Sequence, residues 1–224
     1  MPIHRPTFSR CSDMKQIPKP NYQLELDKTL QKLTQENKRP RLLLHACCAP
    51  CSSYVLEYLT AYFDITVFFY NPNISPEKEY QHRVSEIKRL IAEMCPDVHF
   101  IEGQYEPEKF YTMSKGLENE PERGARCLKC YRMRLEESAQ AAQDGNFDYF
   151  TTTLSISPQK DSMILNQIGR EVSEQYHIPY LYSDFKKKGG YKRSIALSAQ
   201  FHLYRQNFCG CIYSKMQSET HRKP

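Results

Sequence analysis

No stretch of the chain approaches the roughly 20 uninterrupted apolar residues that span a bilayer. The first twenty residues, "MPIHRPTFSRCSDMKQIPKP", contain no apolar h-region and so do not read as a secretory signal. These absences set the expectation of a soluble, cytoplasmic protein with no membrane partner. Neither a Walker G-x-x-x-x-G-K-[ST] loop nor a G-x-G-x-x-G fingerprint is present. The S-G-G-x-D-S loop of ATP-pyrophosphatases is also missing. Where it would follow the first strand stands "HACCAPC", residues 45–51. ATP-dependent chemistry is thereby disfavoured. There is no internal repeat and no low-complexity segment. At 224 residues the chain is near the upper end for one domain and short for two.

What the chain does have is cysteine, nine in all. In a reducing compartment thiols do not rest as structural disulfides, so metal or redox chemistry is the leading explanation, and an odd count argues against a fully paired framework. Seven of the nine fall in three clusters: Cys47, Cys48 and Cys51; Cys127 and Cys130; Cys209 and Cys211. Cys11 and Cys95 stand alone and read as bystanders. The C-x-x-C spacing brings two thiolates onto one centre without strain. Cys48-x-x-Cys51 repeats it at a helix start, where the helix dipole favours thiolate. Adjacent side chains diverge, so Cys47 and Cys48 are expected to serve two irons of one cluster or two separate centres. A structural zinc or a [4Fe–4S] cluster takes four cysteines. Seven thiols leave three over, and one zinc under-explains the chain. Four thiols on a cluster with three on a second metal fits. So does a cluster with Cys209 and Cys211 as a redox-active pair able to form a disulfide bond.

Around these clusters, short apolar runs alternate with helical periodicity. "RLLLHA" reads as a buried strand and "SSYVLEYLTAYF" as a helix. "ITVFFYN", "VHFIEG", "FDYFTTTL" and "PYLYSDF" read as four further strands. Helices are expected over 76–94, from the "CLKCY" segment, over "DSMILNQIGREVSEQYH", and within 191–206. Residues 104–126 read as loop. The alternation predicts an α/β fold, a mostly parallel sheet covered on both faces, with its site outside the carboxyl ends of the strands. Residues 1–40, polar and Pro-rich with one modest helix, are expected to pack outside the core. Residues 41–215 form the catalytic domain, and 216–224 a basic tail. Asn71, Asn73, Tyr80 and Arg83 are expected to line the site near strand two. "SPQKD" (157–161) is either a phosphate-holding loop or an ordinary N-cap by Asp161. "DFKKKGGY" (184–191) is either a flexible phosphate-contacting loop or an exposed turn. The histidines have no ligand-like spacing. The segment after Phe185 is basic, with Glu219 its single acid, and interleaves Tyr191, Phe201, Tyr204, Phe208 and Tyr213. That composition suits phosphate contact and base stacking, as in nucleic-acid binding.

Together the stretches "LLLHACCAPCSSY", "FFYNPNISPEKEYQHR", "GARCLKCYRMRL", "TTTLSISPQKDS", "DFKKKGGYKRSIALS" and "LYRQNFCGCIYS" resemble one family, the cobalamin-independent epoxyqueuosine reductases of the QueH type. The likeness runs from residue 42 to 214. It implies a Rossmann-like three-layer sandwich of one domain, a [4Fe–4S] cluster and a nearby iron. It implies reduction of the epoxide of epoxyqueuosine, in the tRNA anticodon, to the alkene of queuosine. Cys47, Cys48, Cys127, Cys130, Cys209 and Cys211 fall on the family's cysteine positions, whereas Cys51 stands where members can carry Asp, a harder ligand. Two assignments stay open. In one, a second iron acting as a Lewis acid is held by Cys51 with one or more of Cys47, Cys209 and Cys211. In the other, Cys47, Cys48, Cys127 and Cys130 hold the cluster and Cys209 and Cys211 supply electrons. Tyr131, Asp161 and Tyr191 are candidate proton donors. Asn71, Lys160, Lys187, Lys192 and Arg205 are candidate substrate contacts. A low-potential donor such as ferredoxin or flavodoxin is the expected redox partner. The rival readings are an iron–sulfur tRNA thiolase, a zinc-stabilised RNA-binding protein and a general thiol oxidoreductase.

Overall fold

A strand buried on both faces needs apolar side chains at every position, and the first two strands have nearly that. In β1 (Arg41–His45) and β2 (Asp64–Phe69) only the first residue is exposed. Alternation then sends Leu42, Leu44, Ile65, Val67 and Phe69 into one core, and Leu43, Phe68 and Phe150 into the other. The computed structural model describes residues 19–220. Its sheet has four parallel strands in the order β3-β2-β1-β4, with β3 at His99–Glu102 and β4 at Tyr149–Thr152. The helices α2 (Ala49–Leu59) and α3 (Glu77–Met94) pack in the first core. Helices α5 (Ala125–Asp144) and α6 (Ser162–Tyr176) cover the second face. The result is the three-layer α/β sandwich. The chain steps outward from β1 to β3 and returns on β1's other side as β4. The topological switch point therefore lies between β1 and β4, where residues 46–48 meet a 3-10 turn, Thr153–Ile156.

Three expectations are corrected. The helix α1 (Tyr22–Gln35) is not outside the core, because its Leu26, Leu30 and Leu33 are buried in the same cluster as β1 and α2. "PYLYSDF" forms no strand. A single bridge joins Tyr180 to Phe150, and beyond it side chains take the backbone groups a ladder would need. Thr151 Oγ1 donates to Leu181 O at 2.8 Å, and the Asn166 amide engages both Ser183 N and Ser183 O. The supposed loop over 104–126 contains a helix, α4 (Pro107–Ser114), that buries Phe110. Two helices follow α6: α7 (Gly190–Gln200) and α8 (Ile212–Thr220), the latter crossing the boundary expected at 215. Close packing of α7 on α2 requires glycine at 190, where a Cβ would meet Phe185 O at 2.0 Å and the Tyr54 ring at 2.4 Å. Cys11 and the last basic residues, 221–224, lie outside the described residues. Among the described residues no helix is long and apolar enough to cross a membrane.

The placement of α1 is testable. Leu26→Ala is expected to cost about 2–5 kcal/mol in urea unfolding, as truncation of a core leucine does. Leu24→Ala, on the face where the side chain is 49 % exposed, should stay within about 0.5 kcal/mol. Equal small effects would return α1 to the periphery.

Candidate metal centre

The end of β1 is stitched on both sides. Ala46 N donates to Phe68 O at 2.9 Å, Asn71 Nδ2 donates to Ala46 O at 2.8 Å, and Cys47 N donates to Thr153 Oγ1 at 3.4 Å. Cys48 then occupies the N-cap of α2 without making a capping bond, and Cys51 lies in the first turn. The three Sγ atoms lie within 4.8 Å of one another, a grouping able to hold a metal ion. Cys47 and Cys48, expected to diverge, have their sulfurs 3.8 Å apart. Hydrogen bonds from Cys48 and Cys51, helped by Arg134 and Thr153, hold the Cys47 thiol well below its usual range despite burial. The bond to Cys47 pushes Cys48 up to about 12, and Cys51 is raised for the same reason. Within the trio the thiols are therefore unequal, and Cys47 is the one favoured as thiolate.

The other four thiols come from two elements. Cys127 and Cys130 lie one turn apart at the start of α5, and Arg123 N donates to Cys127 Sγ at 3.3 Å. Cys209 and Cys211 lie in the loop before α8, pinned by Cys209 N to Ser214 Oγ (3.0 Å) and Ser214 N to Cys211 Sγ (3.3 Å). Gly210 between them has φ +114°, and a Cβ there would come within 3.0 Å of Arg83 and Ile74. Cys130 and Cys211 share a buried cluster with Phe110. Burial raises Cys127, pushes Cys130 up to about 11 and Cys211 to about 12, and in each case the charge of Cys209 adds to the effect. Cys209 is thus the charge that Cys127, Cys130 and Cys211 all feel. All eight cysteines among the described residues are free thiols.

Buried cations surround both groups. Arg134, 1 % exposed, lies one turn beyond Cys130 on α5. Its Nη2 donates to Asn71 Oδ1 at 2.7 Å, its Nη1 lies 4.0 Å from Cys130 Sγ, and its charge acts on Cys47 and Cys209. It forms no ion pair with a carboxylate among the described residues. Arg83 pairs with Glu79 at 2.7 Å and donates to Cys209 O at 3.1 Å. Arg126 donates to the carbonyls of Leu117 and Glu118 and lies over the Tyr213 ring. Lys160 Nζ is 3.7 Å from Cys209 Sγ and stands over the Tyr131 ring. Arg83 Nη2, Arg126 Nε and the Tyr131 hydroxyl are buried without a partner. His45, beneath Cys47, is a core residue. Its Nδ1 lies 2.8 Å from Thr152 Oγ1, and its Nε2 lies 3.1 Å from Tyr70 O and 3.4 Å from Arg134 Nε, which can only donate. Burial, reinforced by Arg134, pushes its pKa to about 3, and it stays neutral.

A cleft of about 480 Å³ opens onto Cys47, Cys48, Cys51 and Cys209, with Arg83, Arg134, Lys160, Tyr191 and Arg205 in its walls. Several candidate residues lie elsewhere. Asn71 is buried with both ends of its amide committed, to Ala46 and Arg134, so it positions rather than contacts. Asp161 is the exposed N-cap of α6, accepting from Met163 N at 2.8 Å. In the 157–161 loop Gln159 N and Lys160 N both donate to Ser157 and Asp161 caps α6, which favours the N-cap reading over the phosphate-holding one. Tyr131 lies buried beneath Lys160, away from the cleft wall. Lys187 and Lys192 are exposed outside the cleft. In "DFKKKGGY" Lys186 is tied to Ser155 O and Lys188 to Asp27. Of the aromatics expected to stack on bases, Tyr191 is exposed, whereas Tyr204 is hydrogen-bonded to Glu79 and Phe208 and Tyr213 lie under arginines. The sequence motifs include Arg134 and Thr153 without giving either a role, and they leave out Glu122. Arg134 was findable, since it sits four residues after Cys130 on the same helical face.

An α/β sandwich whose switch point gathers Cys47, Cys48 and Cys51 belongs, as a class, to folds with a sheet edge able to hold a metal ion in cysteine. The family model described as epoxyqueuosine reductase QueH matches residues 42–217. A protein of that name from Staphylococcus epidermidis is 42% identical over 203 residues, 88% of this chain and 85% of the relative. The Streptococcus pyogenes protein is 43% identical over 207 residues, covering 88% and 81%. The one from Thermotoga maritima is 35% identical over 182 residues, covering 79% and 91%. The chain belongs to the QueH family.

The thiolate assignment predicts an order of reactivity. In metal-free protein at neutral pH, Cys47 should be alkylated by iodoacetamide before Cys48, Cys51 and Cys130, as read by peptide mass mapping. Cys48 or Cys51 reacting first would reverse the charge distribution described for the trio.

Proposed function

We propose that this chain is an epoxyqueuosine reductase, converting the epoxide of epoxyqueuosine in the tRNA anticodon to the alkene of queuosine. Family membership supports the activity. The observation that carries the site is the close grouping of Cys47, Cys48 and Cys51 at a cleft that Cys209 and the buried Arg134 also line. The donor chemistry fits iron–sulfur ligation. The charge of Cys209 acts on Cys127, Cys130 and Cys211, and Arg134 has no carboxylate partner among the described residues. We therefore assign a [4Fe–4S] cluster to Cys127, Cys130, Cys209 and Cys211, and a second iron to Cys47, Cys48 and Cys51. This is the four-plus-three division, and it leaves no redox pair at Cys209 and Cys211.

Opening the epoxide to an alkene consumes two electrons and two protons and releases the oxygen as water. The bound metals would supply the one-electron steps and Lewis acidity. The protein does the rest. Arg83, Arg134 and Lys160 neutralise the thiolates, and the cleft walls exclude bulk water. Tyr191, exposed at the cleft rim, is the remaining candidate proton donor and a stacking surface for a splayed-out base. Lys187, Lys192 and Arg205 would contact phosphates. Electrons would come from a low-potential carrier such as ferredoxin or flavodoxin in the cytoplasm.

Anaerobically purified protein should contain about four acid-labile sulfides and four to five irons per chain and reduce epoxyqueuosine in tRNA. The double variant Cys127→Ser/Cys130→Ser should lose the sulfide, whereas Cys51→Ser should lose about one iron and keep it. Full iron retention after Cys209→Ser/Cys211→Ser would restore the redox-pair assignment. Zinc without sulfide would favour the structural RNA-binding alternative. Binding of tRNA should weaken steeply with salt, and insensitivity to salt would remove the phosphate contacts.

A further inference from the structure

The turn between α4 and α5 places one acid where everything else is basic. Glu122 is the only carboxylate among the described residues lining the cleft, whose other charged walls are Arg83, Arg134, Lys160 and Arg205. The backbone around it is held tightly. Gly124 N donates to Pro121 O at 3.0 Å, Ala125 N to Glu120 Oε2 at 2.9 Å and Arg123 N to Cys127 Sγ at 3.3 Å. Arg123 itself is in the left-handed region at φ 73°. The Glu122 carboxylate has one partner, Lys160 Nζ at 3.7 Å, which is beyond hydrogen-bond distance, and its side chain is 34 % exposed. Its oxygens therefore keep open acceptor positions at the cavity. A cleft that met only phosphate would gain nothing from a carboxylate, which repels it.

Resting on the reductase reading, we propose that Glu122 pairs with the secondary ammonium of epoxyqueuosine and so selects and orients the modified nucleoside. That nitrogen links the methylene of the base to the cyclopentane ring. As a dialkylamine it is protonated at neutral pH, and the ring carbon that bears it adjoins the epoxide. An ion pair there fixes the epoxide in the cavity that Cys47, Cys48, Cys51 and Cys209 line. An unmodified guanine at the same position carries no cation, so the pair separates modified from unmodified tRNA. A charge-assisted hydrogen bond of this kind is the strong class.

The test uses the anaerobic holoprotein and anticodon stem-loops carrying queuosine or guanine at the wobble position. Queuosine keeps the amine, so binding is read without turnover. The wild type should prefer the queuosine loop, and Glu122→Gln should lose that preference by on the order of tenfold or more. Binding of the guanine loop and the visible spectrum should be unchanged, and Glu122→Asp should restore part of the preference. If Glu122→Gln loads poorly, Glu122→Ala carries the same comparison. A preference retained in Glu122→Gln, or absent in the wild type, overturns the inference. Reduction of an epoxyqueuosine loop by the wild type is scored separately. Its failure removes the reductase reading, whereas success with a retained preference in Glu122→Gln removes only the role of Glu122.

Discussion

The structure depends on the burial of the Arg134 guanidinium among Cys47, Cys130 and Cys209, with no carboxylate among the described residues to meet it. Moving an unpaired cation into a protein interior costs several kcal/mol. Asn71 satisfies one donor at 2.7 Å but brings no charge. The negative charge has to come from sulfur. Arg134 and the thiols are thus one system: the arginine favours thiolates, and thiolates make the arginine tolerable. A chain that kept its thiols protonated would leave Arg134 uncompensated at the centre of its own site.

The sheet topology explains why this system can be assembled. Parallel strands in the order β3-β2-β1-β4 open a crevice where the connections diverge, between the ends of β1 and β4. The Cys47–Cys51 segment leaves β1 there, and Thr153 arrives from β4 to hold Cys47. Helix α5 covers β1 from the other face and brings Cys127, Cys130 and Arg134. The last loop is drawn in by main-chain contacts, Ser75 N to Gly210 O at 2.9 Å and Arg83 to Cys209 O. Four separate stretches of chain meet at a point that none could build alone.

Much of this was legible in the sequence, for identifiable reasons. β1 and β2 were visible because burial on both faces leaves an unbroken apolar run. The thiol clusters were visible because chelation imposes its own spacing, and the switch-point location followed from strand–helix alternation. The false fifth strand shows the limit. "PYLYSDF" has strand composition, but whether its backbone pairs depends on Thr151 and Asn166, distant in sequence, and their side chains claim it first. The helix α1 was misplaced because its polar composition hid a three-leucine stripe at helical spacing. The grouping of thiols was beyond reach for the same reason as the strand. Spacing says which cysteines can chelate together, while only tertiary structure brings Cys209 to the cleft that Cys47, Cys48 and Cys51 line and lets its charge act on Cys127 and Cys130.

The charges around the thiols also bear on redox behaviour. A thiolate-ligated cluster becomes more negative when reduced, and burial alone would oppose that change by withholding solvent. Fixed cations offset the penalty, which is one of the ways a protein sets a cluster potential. Arg83, Arg134 and Lys160 lie where they can do so without acting as ligands. Arg83 is held by Glu79 and the Cys209 carbonyl and Arg134 by Asn71, whereas Lys160 Nζ lies 3.7 Å from both Glu122 and Cys209 Sγ. Each of these side chains also lines the cleft. The positive field beside the thiols is therefore the one that any molecule entering the cleft meets. It attracts the phosphates of an RNA backbone, and it opposes any cationic substituent unless a fixed acid stands in the wall to receive it.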